Sequence, residues 1–124
     1  MWQTIFWLSL TGALGCLARY GLGGLIQKYS AGFPYGTLAI NTLACFLFGL
    51  VWTLASERLI ISGHVRLIIL TGFIGTFSTF STFVFETGQM LRDTELLLAA
   101  VNVALELGAG LVFFFLGIML GKQF

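Results

Sequence analysis

Charge is scarce in this 124-residue chain: Lys and Arg number 6, Asp and Glu 5, together 9% of all residues. A soluble globular domain carries roughly a quarter, so a solvated surface on all sides is excluded. Net charge is +1 with no basic run, which excludes nucleic acid as a partner. His64 is the only histidine, and a lone histidine in a loop makes no metal site. The two cysteines, Cys16 and Cys45, fall inside apolar stretches. A disulfide framework is therefore not expected, and both are read as small buried side chains. No Ser/His/Asp or Cys/His set can be assembled, and no carboxylate pair faces a soluble pocket, so an enzyme is not expected. The opening Met1-Trp-Gln-Thr-Ile-Phe lacks the positive region of a signal peptide, and the first apolar segment is expected to stay as a span.

Apolar residues are abundant, at 58% of the chain. A spanning helix needs about 20 of them, and four such segments fit, at about 5–26, 36–56, 66–91 and 96–120. The expectation is an all-α membrane protein, one four-span domain over residues 1–124 with lipid around it. So small a chain has few side chains with which to enclose a pathway, which points to an oligomer. Call the side holding the N-terminus side one. It then carries Arg58, Arg66 and Lys122, and the opposite side Lys28 and Arg92. That split barely orients a chain under the positive-inside rule. Insertion both ways and an antiparallel, dual-topology dimer follow as the expectation; a weak single orientation is the alternative.

Polar residues inside the spans fall on stripes. Gly12, Gly15, Arg19 and Gly23 share a face of the first span, so Arg19 points toward protein and not lipid. The other possibility is an arginine snorkelling to headgroups. Thr37, Asn41, Cys45, Gly49 and Thr53 recur at i+4 in the second span. Burying the Asn41 amide unpaired is costly, so it needs a partner, as a helix–helix bond or in a pathway. In the fourth span Asn102, Glu106 and Gly110 line up, and Gly117 and Gly121 form a GxxxG pair, which favours close packing. Glu106 has no basic neighbour in sequence; it is either neutral or meets a partner from another helix.

The oddest stretch is Gly72-Phe-Ile-Gly-Thr-Phe-Ser-Thr-Phe-Ser-Thr-Phe83. It is dense in hydroxyls within an apolar run, with phenylalanines at 77, 80 and 83. Gly72 and Gly75 precede it, where a helix can loosen. Hydroxyls, ring edges and freed backbone groups at membrane depth suit something polar held or passed there. A small hard anion would use Asn41, Ser and Thr hydroxyls, Arg19, and the positive rims of phenyl rings. Ordinary packing of the phenylalanines is the bland alternative. A proton-coupled exporter of small cations is a second possibility, but such four-span transporters rely on an acid in the first span, where this chain has Arg19. A structural subunit of a larger membrane complex is a third.

Gly15 through Arg19, Gly36-Thr-Leu-Ala-Ile-Asn41, and Thr71 through Phe83 followed by Glu86 together carry a resemblance. Over nearly its whole length the chain resembles the Fluc (CrcB) fluoride channels. The resemblance implies an antiparallel dual-topology homodimer in the cell (inner) membrane, multi-pass, with two passive fluoride pathways that relieve fluoride toxicity. By motif position Phe80 and Phe83 look like rings bordering the pathway, and Asn41 like its amide. Ser81, Thr82 and Thr37 look like polar-track hydroxyls, and Arg19 like the vestibule base. Phe77 returns to packing. A structural Na+ at the dimer centre is implied, held by the Gly75 and Ser78 backbone carbonyls where the third helix breaks near its middle. Gly110 stands where a serine is common, and Glu106 is unexpected beside an anion path. It is expected to be neutral or hydrogen-bonded away from that path.

Overall fold

The computed structural model describes residues 1–30 and 32–124. It is all-helical. Helix α1 runs Trp2–Lys28 and α2 Tyr35–Ser56. The third span, Gly63–Arg92, comes in two pieces: α3 over residues 63–77 and α4, Phe80–Arg92. Helix α5, Leu96–Gly121, closes the chain. All four spans are long and apolar enough to cross a membrane. Large apolar side chains such as Leu17, Leu97, Leu111, Val112 and Met119 are exposed on the outside, as lipid contact requires.

Small residues decide which helices meet. A Cβ at Gly117 would land on the Phe46 carbonyl, and one at Gly49 on the Phe114 carbonyl. Thus α2 and α5 touch backbone to backbone, the close approach that small residues permit. The same holds between α1 and α3, where a Cβ at Gly15 would strike the Thr76 hydroxyl and the Phe73 carbonyl. Ile40, Ala44, Leu70, Ile74 and Phe77 form the buried core between α2 and α3. Phe77 stacks on Phe73 with ring centroids 5.7 Å apart.

Two segments have wider π turns: Arg19–Gly23 in α1 and Ile68–Ile74 in α3. Such turns interrupt the regular ladder and recur at functional sites. The connections are short and tied down. Gln27 accepts from the Gly36 N–H and donates to the Phe33 carbonyl, both at 3.0 Å. Arg66 donates to Ser56 Oγ at 2.6 Å and lies over the Trp52 ring.

One expectation about the cysteines is corrected. Cys45 is half-buried, but Cys16 is exposed. Gly12 and Gly15 form the packed face of α1, and Cys16 is on the helix's outer side. The Cys16 Sγ lies 3.9 Å from Nη2 of Arg19, one turn on.

Candidate functional site

The break between α3 and α4 is made by hydroxyl residues competing with the helix ladder. Ser78 (φ −76°, ψ 162°) and Thr79 (φ −152°, ψ 104°) are both extended. Ser and Thr side chains offer the backbone alternative bonds. The Ser78 hydroxyl donates back to the Ile74 carbonyl at 3.1 Å. The Thr79 hydroxyl caps α4 by accepting from the Thr82 N–H at 3.3 Å, a standard N-cap arrangement. The Thr76 hydroxyl donates to the Gly72 carbonyl at 2.7 Å and lies 3.0 Å from the Gly12 carbonyl of α1.

The carbonyls of residues 75–78 lose their helical donors as a result, as at any helix end, Gly75 and Ser78 among them. In a continuous helix Gly75 O would accept from Thr79 N–H; that N–H instead donates to Asn41 Oδ1 at 2.8 Å. Ser78 O would accept from Thr82 N–H, which is taken by the cap. Freed carbonyls at the C-terminal end of a half-helix form an oxygen donor set of the kind that holds Na+. Such oxygens are of the type a hard monovalent cation takes; for Ser78 O to serve, the Arg19 guanidinium, which donates to it at 3.5 Å, would have to give way. On the other side of the break, α4 presents an N-terminal end, whose first N–H groups and dipole favour an anion.

Asn41 holds the break together. Its Oδ1 accepts from the Thr79 N–H, and its Nδ2 donates to Thr79 O at 3.2 Å and to Glu106 Oε2 at 3.0 Å. Glu106 thus has as its partner the amide that the resemblance places on the pathway. Its other oxygen, Oε1, is buried with no hydrogen-bond partner. Nearby, the Thr37 hydroxyl donates to Glu86 Oε1 at 2.7 Å, and Asn102 Nδ2 donates to the Thr87 hydroxyl at 3.0 Å.

An open cleft of about 650 Å³ is lined by Arg19, Lys28, Thr37, Thr79, Thr82 and Glu86, among others. It brings together Arg19 of α1, Thr37 of α2 and Thr82 of α4, with Asn41 bonded to the Thr79 backbone. Phe80, Ser81 and Phe83 do not line it. Phe83 is buried, whereas Phe80 is 73% exposed; their ring centroids are 5.7 Å apart. Ser81 is exposed on the outer side of α4. Glu86, Asn102 and Thr87 join the polar column without having been singled out as site residues. The i+4 alignment of Asn102 with Glu106, and the place of Glu86 in the third-span motif, were the available signals.

A model of the family described as CrcB-like protein, Camphor Resistance (CrcB), matches residues 6–118. The chain belongs to the CrcB family. This CrcB chain is 53% identical over 123 residues to the fluoride-specific ion channel FluC of Nitrosococcus oceani, covering 98% of each. It is 45% identical to the protein of the same name in Desulforapulum autotrophicum, over 93% of each chain. The corresponding protein of Solidesulfovibrio magneticus is 42% identical over 98% of each. Membership in a CrcB family with relatives so named, together with the four spans, makes the chain a multi-pass membrane protein of a channel class and not an enzyme.

Proposed function

We propose that this protein is a fluoride-selective channel of the cell inner membrane, letting F− leave the cytoplasm passively and so relieving its toxicity. The fluoride-specific relatives support the ion. The break at Ser78–Thr79 is the observation that carries the mechanism: it sets an anion-favouring helix end, hydroxyls and an amide at membrane depth. Fluoride would pass from the Arg19 vestibule along Thr37 and Thr82 to Asn41, with Phe80 and Phe83 turning positive ring edges toward it. Ser81 would complete the polar track.

The working unit is an antiparallel dual-topology homodimer with two pathways. Phe80 and Ser81 are exposed on the single chain, so a wall containing them needs a second copy. At the dimer centre, Gly75 and Ser78 carbonyls from both subunits would hold a structural Na+, which supplies positive charge where two C-terminal helix ends meet. A reporter fused to the C-terminus is expected on both sides of the membrane. Recovery on one side alone would overturn the dual topology.

Purified protein in liposomes should release fluoride and not chloride. Phe80→Ile and Phe83→Ile keep an apolar surface but remove the ring edge. Each is expected to reduce fluoride efflux at least about tenfold, since loss of some 1.4 kcal/mol of ion stabilisation is a factor of ten. Equal efflux of the two anions, or proton-driven cation uptake, would sink the proposal.

A further inference from the structure

The wide turn at Ile68–Ile74 leaves the backbone ladder short of a donor just before the break. The Gly75 N–H reaches back five residues, to Leu70 O. The Ser78 N–H reaches back four, to Ile74 O. Between those two bonds stand three carbonyls, of Thr71, Gly72 and Phe73, and only two backbone N–H groups, of Thr76 and Phe77. A change from a π turn to an α turn leaves one carbonyl over in this way. At membrane depth no bulk water supplies the missing bond.

The Thr76 hydroxyl fills the gap. It lies 2.7 Å from Gly72 O and 3.0 Å from Phe73 O, two of those three carbonyls. It also lies 3.0 Å from Gly12 O of α1. The fit around it is close, since a Cβ at Gly15 of α1 would strike this hydroxyl. One turn beyond Gly15 on α1, Arg19 lines the cleft. Two residues beyond Thr76 the extended Ser78–Thr79 pair begins, and Thr79 is the residue whose backbone Asn41 binds. One hydroxyl thus joins the helix that carries Arg19 to the segment that leads into the break.

We propose that Thr76 is a positioning residue for the anion pathway, an inference that rests on the channel reading above. Its O–H keeps the π turn wide. One residue more or less in a turn rotates everything beyond it by about 100° about the helix axis. With the turn wide, the Thr79 backbone meets Asn41 of α2, and the first turn of α4 lines the cleft through Thr82. Without the hydroxyl the surplus carbonyl has no donor. The segment relieves that by rewinding toward regular α turns, which swings the break away from Asn41. The donors that an anion needs are then misplaced, although none of them has been altered.

Three variants test this. Thr76→Val keeps the shape and removes the hydroxyl, Thr76→Ala removes it without crowding the three carbonyls, and Thr76→Ser keeps it. Size-exclusion profiles check that each assembles, and alanine carries the test where valine does not. Fluoride efflux from liposomes is followed over a range of fluoride concentrations. Hydrogen exchange at the Thr79 amide, whose bond to Asn41 reports where the break stands, is followed in detergent. Valine and alanine are each expected to raise the half-saturating fluoride concentration about fivefold, the factor that one ordinary hydrogen bond carries, and to speed exchange at Thr79. Serine should restore both. An unchanged half-saturation in valine and alanine, with only the maximal efflux lowered, means a hydroxyl that supports the fold and no more. That result, or serine behaving like valine, would overturn the positioning role and leave the channel standing. No fluoride efflux from the unaltered protein would sink the channel proposal, and the positioning role with it.

Discussion

Asn41→Ala is expected to abolish fluoride efflux and to loosen the fold at the same time. Three hydrogen bonds end on this one amide: Thr79 N–H into Oδ1, and Nδ2 to Thr79 O and to Glu106 Oε2. Alanine leaves a buried backbone N–H and a buried carboxylate oxygen without partners. Each such orphan costs about 1–3 kcal/mol, so the loss of stability is expected in the range of about 2–6 kcal/mol. The Thr79 N–H would then be free to seek the Gly75 carbonyl, closing the break toward a continuous helix. That would remove the N-terminal helix end and one freed carbonyl together. Thermal unfolding in detergent should show the lower midpoint, and liposome efflux the lost flux. Asn41→Asp is the sharper variant. It keeps the acceptor for Thr79 N–H but replaces both donors by an oxygen facing Thr79 O and Glu106. If Asn41→Asp conducts like wild type, the amide's donors have no part in permeation.

Much of this arrangement could be read from residue spacing, and some could not. The face of α1 carrying Gly12, Gly15 and Gly23 was legible because small residues at helical spacing mean close approach, and Gly15 does abut Phe73 and Thr76. The bend in the third span was legible because two glycines precede a run of hydroxyls, and hydroxyls compete with the ladder. The fourth-span GxxxG pair was legible for the same reason as α1. Spacing along one helix, however, says which face a residue occupies and nothing about what stands opposite. Glu106 and Asn41 are 65 residues apart, so their bond depends on the depth at which α5 packs on α2. Thr37 and Glu86 are 49 apart, with the same difficulty. Cys16 was misjudged because a position inside a span does not separate a lipid face from a packed one.

The depth at which α5 packs is itself open to test, through glycines that look alike in sequence. Gly117 and Gly108 both lie within α5. A Cβ added at Gly117 would meet the Phe46 carbonyl and stand 2.9 Å from Leu50 N; one added at Gly108 meets nothing within 4 Å. Alanine should therefore act with opposite signs. At Gly108 it removes backbone freedom from the unfolded chain and is worth about 0.5–1 kcal/mol in favour of the helix. At Gly117 that gain is overwhelmed, because backbone of α2 cannot yield as a side-chain tip can. Pushing the helices apart is expected to cost about 1–3 kcal/mol net. The displacement should also lengthen the Asn41–Glu106 bond, since both residues lie on the same α2–α5 seam. Gly117→Ala should then weaken the fold, whereas Gly108→Ala should leave it intact or slightly strengthen it. Equal unfolding midpoints for the two variants would mean that the α2–α5 contact is looser than described, and the seam would no longer explain how Glu106 reaches Asn41.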